Sequence, residues 1–543
     1  MNKFARFALA IALVLALVGL ASAQMPKAVH RVTPHPGLDQ QSAPTADGQS
    51  QWSPLNNQLC TGNNPCFPAG VTMLLSDGTV IVHEEQDGGE QNWYKLTPDA
   101  FGSYVNGTWS QVASIPPSLS YAPLYFGSQV IADGRLTVIG GEYNFDQPVW
   151  TTQGAIYDPV ANAWTNVPPP SGWVRTGDAQ AVNLADGSYM QSSCCDRPPK
   201  WAYLDPTTLT WTNFQGNGKF DVFDEEGWNM LPNGKILTVD AYVFAYDPTG
   251  TNSELYDPSS QTWSSAGSTV VQIWDSGCGV RGNASFEVGP AVLRPDGTVF
   301  QTGANTCGTG HTAIFDSHTN AWSAGPDFPV SDVSIADGAA SIEPNGKVLM
   351  MGSVNEGPPA TFFEWDGASL SVVPGPPNAP FDGSFYGHML PLPTGQILYT
   401  DWSFPTVTGA PNADVEIYTP TGTYNPAWAP KILSVPKEIR TGGTSTLFGL
   451  RFSGMSQGGA YGDDYQPNTN YALVRLTNKK TGHVFYCRTH NPSSYVVQSN
   501  ELEYTLFDVP VEAETGPSTL VAVTNGIPSE PIKVNVKKAS KTE

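Results

Sequence analysis

Charge is scarce in this sequence, and basic charge is scarcest. Only 14% of the 543 residues are charged, with 26 Lys+Arg against 49 Asp+Glu. The formal charge of −23 repels a phosphate backbone, which argues against nucleic acid as a partner. It suits cations, neutral sugars or simple solubility outside a cell. Cysteine is sparse as well, at seven residues. No C-x-x-C pair occurs, so a structural zinc site is not expected. Gly-x-Ser-x-Gly and His-Glu-x-x-His are both missing, which removes the nucleophile elbow and the zincin helix. Past residue 23 no apolar run is long enough to span a membrane.

The chain start reads as a cleaved signal. Lys3 and Arg6 precede an apolar run from Phe7 to Leu20, and Ala21-Ser22-Ala23 fits signal-peptidase cleavage before Gln24. The run is shorter than the ~20 residues of a membrane span. A Sec-type signal over 1–23 implies secretion, extracellular or periplasmic, where disulfides are permitted. Cys60 and Cys66 bracket a turn-rich loop that a bridge would close, and Cys278 and Cys307 are a second candidate pair. Cys194 and Cys195 are adjacent, so a bridge between them would be strained at a Cα separation of ~3.8 Å.

What is abundant is Gly (54), Pro (47) and aromatics, including 15 Trp and 21 Tyr. Many turns and rings with little charge suggest short strands. Self-comparison exposes a repeat: apolar strand, Asp/Asn-Gly turn, apolar strand. It reads Leu75-Ser-Asp-Gly-Thr-Val-Ile-Val82, Ile131-Ala-Asp-Gly-Arg-Leu-Thr-Val138, and again around Gly187, Gly234, Gly297, Gly346 and Gly395. Such turns are strong hairpin signals. The intervals are 56, 53, 47, 63, 49 and 49 residues. A second signature follows in most units: Ile156-Tyr-Asp-Pro159 then Trp164, Tyr203-Leu-Asp-Pro206 then Trp211, Leu255-Tyr-Asp-Pro258 then Trp263, Ile314-Phe-Asp-Ser317 then Trp322. Two hairpins make a four-stranded sheet, and seven such sheets close radially.

These units resemble the kelch repeat, with Gly140-Gly141 matching its double glycine. The expected fold is all-β, a seven-bladed kelch-type β-propeller over residues 65–430 followed by an immunoglobulin-like β-sandwich over 431–537. A polar leader or linker occupies 24–64 and a polar tail 538–543. The later segment alternates without the repeat, as in Tyr471-Ala-Leu-Val-Arg-Leu476 and Ser518-Thr-Leu-Val-Ala-Val523.

A secreted kelch propeller with an early-set domain resembles galactose oxidase and glyoxal oxidase, the copper radical oxidases. Val523-Thr-Asn-Gly-Ile-Pro-Ser529 is similar to that family's last strands. The resemblance implies a tyrosine cross-linked to cysteine, a Tyr-His pair and a last-domain histidine around copper. Counted from Gly395, Phe385 falls at the tyrosine of the pair and Tyr386 at its histidine, and a two-residue slip would bring Tyr386 and His388 together. Tyr125 stands where the cysteine belongs. Thr489-His490 matches the last-domain histidine. Tyr386, His388 and His490 are therefore the copper ligands if that chemistry survives. The missing partners argue against a working radical centre.

The same register points elsewhere. Nine residues before each hairpin glycine stand Ala69, Tyr125, Asp178, Glu225, Val288, Asp337 and Tyr386. Three acids and two tyrosines share one level of the innermost strands, joined by Glu226, Trp228, Glu287 and His388. The plain alternative is a solvated rim. The sharper expectation is a channel mouth that holds calcium through hard oxygen donors, or a carbohydrate or extracellular protein loop. Two further readings are an alcohol or aldehyde oxidase with an altered copper site and a carboxylate-based glycoside hydrolase or lyase. His83-Glu84-Glu85 is expected at a blade edge, and Gly462-Asp463-Asp464-Tyr465 on a surface loop.

Overall fold

The seven repeat hairpins share one local chemistry. In the computed structural model, which describes residues 51–85, 89–243, 250–280, 283–305, 308–402, 415–462 and 464–539, all seven turn glycines have positive φ, from +78° to +87°. The residue before most of them explains the preference for Asp or Asn. Asp77 Oδ1 accepts the Thr79 N–H at 3.0 Å, and Asp133, Asp186, Asn233, Asp296 and Asn345 repeat the contact two residues ahead. Only the glycine needs the left-handed conformation, so the turn is a tight corner closed by a glycine rather than a mirror-image turn.

Each hairpin begins an antiparallel sheet, of four strands in six blades and of six in the sixth. The first blade is Ala69–Leu74, Val80–Glu84, Trp93–Thr97 and Thr108–Gln111. The innermost strands of the next six blades are Gly127–Val130, Ala181–Asn183, Asn229–Met230, Ala291–Leu293, Ala340–Ile342 and Gly387–Pro391. The ring closes where Ala69–Leu74 packs against both Gly127–Val130 and Gly387–Pro391. Part of the polar leader completes the last blade: Gln51–Pro54 pairs antiparallel with Val415–Thr419. The expected signal segment, residues 1–23, lies outside the described residues.

The repeated tryptophan joins neighbouring blades. Tyr157 faces Trp164, Leu204 faces Trp211 and Phe315 faces Trp322 across the outer strand pairs. Trp164 Nε1 donates to Ala113 O at 2.7 Å, Trp211 to Pro168 O at 2.7 Å, and Trp322 to Ser253 Oγ at 2.8 Å, each on the preceding blade. A ring with a polar edge, buried in Trp164 and half-buried in Trp211 and Trp322, thereby meets both its apolar and its hydrogen-bonding requirement.

A second all-β unit follows. Its strands form a nine-stranded sheet around a separate core that includes Leu447, Phe452, Val474, Leu476, Cys487 and Phe507. It sits on the hairpin-turn face of the propeller. Thr489 N–H donates to Ser76 O (3.1 Å), Asn491 N–H to Ala132 O (2.6 Å) and Tyr495 N–H to Ala185 O (3.0 Å), one bond to each of the first three turns. Among the described residues no helix is long and apolar enough to cross a membrane. The Cys60–Cys66 and Cys194–Cys195 bridges are both formed. Cys278 is disulfide-bonded, and its expected partner Cys307 lies outside the described residues. Cys487 is free and buried.

Candidate functional site

The register residues sit at the starts of the innermost strands, at the end opposite the hairpin turns on which the C-terminal sheet rests. Tyr125, Asp178, Glu225, Asp337 and Tyr386 are all buried, as is Glu287, so this level is not a solvated rim. Three of them, Tyr125 (φ +54°), Glu225 (+60°) and Asp337 (+41°), hold left-handed backbone. Such conformations cost a non-glycine residue about 1–3 kcal/mol and cluster at functional sites.

Carboxylates from three adjoining stretches converge. Oxygens of Glu225, Glu287 and Asp337 all lie within 4.8 Å of one another, and all three residues are buried. The loops before the fourth, fifth and sixth innermost strands supply one each. Beside them runs an aromatic stack that sequence reasoning missed. Tyr242 lies on Phe286 at 4.2 Å and 14°, and Phe286 on Trp274 at 5.8 Å and 6°. Tyr242 is half-buried, and burial together with Asp224, Glu225 and Glu287 pushes its phenol well above its ordinary value. Phe286 adjoins Glu287 in sequence, but nothing in the repeat marks it.

The floor of the mouth comes from the C-terminal unit. Its segment between Thr444–Leu450 and Leu473–Asn478 threads the propeller axis. Gly459–Ala460 adds a strand to the sixth blade at Ala340–Ile342. Gln457 Oε1 accepts Met230 N–H at 2.6 Å, and Asn468 Nδ2 donates to Gln129 Oε1 at 3.0 Å. At its tip, Tyr461 donates to Phe385 O at 2.8 Å and Tyr465 to Glu85 Oε1 at 2.6 Å. A Cβ on Gly462 would lie 2.4 Å from Asp337 Oδ1, so a side chain there would displace the Asp337 carboxylate. This corrects the surface-loop expectation for Gly462-Asp463-Asp464-Tyr465: Asp464 and Tyr465 are fully buried, and Asp463 lies outside the described residues.

His83 and Glu85 are both fully buried, not at a blade edge: Glu85 reaches the axial Tyr465, and His83 packs between the first two blades on Trp93 and Phe126. Glu85 Oε2 meets His388 Nε2 at 3.1 Å and accepts Val71 N–H at 3.0 Å. Burial alone would raise the Glu85 carboxyl, but His388, His83 and the Tyr465 hydroxyl bring it below its usual value. Burial lowers the His83 imidazole.

Two expected mouth residues belong elsewhere. Glu226 turns into its own blade, where Lys219 Nζ lies 2.8 Å from Glu226, 2.7 Å from Glu254 and 3.5 Å from Asp240, with Asp221 closer still. Trp228 packs on Phe223 and Trp263 in the main core. Glu225 stands in a left-handed turn before the strand, and the chain leaving that turn carries Glu226 toward Lys219, while the large ring of Trp228 packs in the core.

The implied copper ligands do not converge. His388 stacks on Tyr461 and pairs with Glu85 near the strand starts. His490 sits at the opposite end of the strands, with its Nε2 3.3 Å from Asp508 in the C-terminal sheet. Tyr386 packs on Phe385 and Trp402. The segment that reaches the axis from the C-terminal unit carries tyrosines and no histidine. This donor set does not fit the copper centre of the resembled family.

No family model matches the sequence. The chain is 26% identical over 133 residues to the Kelch-like protein terF of Aspergillus terreus, a match covering 24% of this chain and 26% of that protein. It therefore spans about a quarter of that relative's length. Among solved structures it is similar to a fungal alcohol oxidase of the AA5 family in complex with copper, with a TM-score of 0.50 and 14% identity over 90% of this chain and 100% of that chain. At such identity the likeness is one of fold. The chain carries a kelch-type, galactose oxidase-like β-propeller.

Proposed function

We propose that this protein is a secreted propeller that binds a carbohydrate at the acidic and aromatic mouth, with a calcium ion held by Glu225, Glu287 and Asp337. The observation that carries the reading is the convergence of those three carboxylates beside the Tyr242–Phe286 stack. Calcium takes hard oxygen ligands, and three carboxylates supply the charge and part of the coordination. Sugar hydroxyls complete such a shell, while a ring face packs on an aromatic side chain. Burial removes competing water and strengthens the attraction between carboxylates and cation.

Calorimetric titration of chelator-treated protein with Ca²⁺, in wild type and in Glu225→Gln/Glu287→Gln/Asp337→Asn, tests the cation site. One bound equivalent in wild type and none in the variant is the expected result. Glycan-array binding with and without chelator then tests the ligand. Calcium binding that survives the triple substitution, or an array with no calcium-dependent signal, would sink the proposal.

A second reading is a glycoside hydrolase on the same acids. Such an enzyme needs two carboxyl groups flanking one glycosidic bond, and the trio brings three buried carboxylates together. Release of reducing sugar from array hits distinguishes it.

A further inference from the structure

The vicinal bridge Cys194–Cys195 stands on the wall of the mouth between the third and fourth blades. Cys194 N–H donates to Thr176 O and Phe223 N–H donates to Cys194 O, both at 2.9 Å. The backbone there is anchored on both sides without help from the sulfurs. The second bond also fixes Asp224, the residue after Phe223. Both Sγ atoms and an Asp224 carboxylate oxygen lie within 4.8 Å of one another. Cys194 is fully buried and Cys195 is partly exposed. A Cβ on Gly177 would lie 2.7 Å from Cys194 Sγ, so glycine keeps room for the sulfur.

We propose that Cys194, Cys195 and Asp224 form a thiol-gated site for a soft divalent cation, zinc or cadmium in chemical class. In the bridged state the sulfurs are a neutral, polarisable wall. A small dithiol opens it: its thiolate attacks Sγ of the partly exposed Cys195, the S–S bond breaks, and Cys194 leaves as a thiolate. The reagent's second thiol then attacks the mixed disulfide, releasing Cys195 and a cyclic disulfide. The pair gains two electrons and two protons, and the reagent loses them. A cation displaces both protons to solvent and meets two thiolates and one carboxylate, with water as fourth ligand. After reduction the two backbone bonds keep Cys194 beside the loop that carries Asp224, and the cation draws the two thiolates together. This site shares no donor residue with the calcium reading: two of its donors are sulfurs of the third blade, and the third, Asp224, adjoins Glu225 but is not one of the acidic trio.

The test uses the full secreted chain, treated with dithiothreitol, freed of reagent anaerobically and titrated with Cd²⁺. The sulfur-to-cadmium charge-transfer absorption is followed, with oxidised protein and Cys194→Ser/Cys195→Ser treated in parallel. Other bridges respond equally in wild type and variant, so the difference reports this pair. One extra equivalent in reduced wild type, lost in the double variant, is expected. Asp224→Asn should weaken it by at least the ~10-fold that even an outer-shell partner contributes. Alkylation with peptide mass mapping reads the redox state of both cysteines, and near-ultraviolet circular dichroism checks the variant's fold. Equal cadmium binding by wild type and a folded double variant, or a bridge that dithiothreitol leaves closed, overturns the proposal.

Discussion

Tyr465 donates to Glu85 at 2.6 Å although the two residues stand 380 positions apart. The same hydroxyl accepts Tyr125 N–H at 2.8 Å, and His388 meets the other Glu85 oxygen. One phenol thus ties the axial segment to the first, second and last blades. Tyr465→Phe keeps the ring and removes the oxygen. It should cost about 2 kcal/mol, because a buried carboxylate and a buried N–H each lose a partner. An unchanged denaturation midpoint would show that the segment is held by packing alone.

Lys219 is fully buried among Asp221, Glu226, Asp240 and Glu254, with Phe223 and Trp263 beneath its ammonium. Lys219→Met should destabilise by about 3–5 kcal/mol at neutral pH, since it strands buried negative charge. Burial and the neighbouring Asp221 raise the Glu226 and Asp240 carboxyls well above their usual range. Protons can therefore substitute for the lost cation, and the penalty should shrink at pH 5. Urea midpoints at the two pH values test this; an equal loss at both would contradict it.

Burial raises Glu503 to about 7, against the bond it accepts from Phe452 N–H. Phe452 lies where the chain leaves the C-terminal sheet for the axis. The folded value lies above the unfolded one, so the stability this group contributes is complete below about pH 4.5 and is lost as pH rises to about 7. The span is worth at most ~3 kcal/mol. Glu503→Gln should flatten the stability profile across that window. An unaltered profile would place the titration elsewhere.

Tyr242 offers an aromatic face beside the acidic trio. Tyr242→Ala should weaken glycan binding about fivefold, the scale of one aromatic contact, with calcium affinity unchanged in the same titration. Loss of both would mean that the stack shapes the cation site itself.

Two turn glycines separate local from tertiary demands. Gly78 and Gly187 share the left-handed conformation, at φ +78° and +86°. A Cβ on Gly78 would lie 2.4 Å from Tyr486 of the C-terminal unit, while on Gly187 it meets nothing closer than 3.6 Å. Gly187→Ala should cost about 1 kcal/mol, and Gly78→Ala clearly more. Equal losses would mean that Tyr486 moves aside freely.

The propeller was legible because its signals are local. An Asp/Asn-Gly corner and a Trp facing an aromatic or leucine across a hairpin each lie within about ten residues, and seven turn glycines, six of them after Asp or Asn, announce the period. The same counting placed Glu225, Asp337 and Tyr125 at one level of the axis. It misplaced Glu226 and Trp228, because one or three steps along the chain turn a side chain into the blade or the core. It missed Tyr242 and Phe286, since neither belongs to the repeat. The axial segment was the largest gap. Its polar, glycine-rich run Gly458-Gly-Ala-Tyr-Gly-Asp-Asp-Tyr465 has the composition of an exposed loop, and only the channel gives it partners. Sequence by itself determined the blades, because hairpin geometry depends on neighbours along the chain. Only the tertiary structure decided which residues meet at the axis, because those contacts join positions hundreds of residues apart through the closure of the ring.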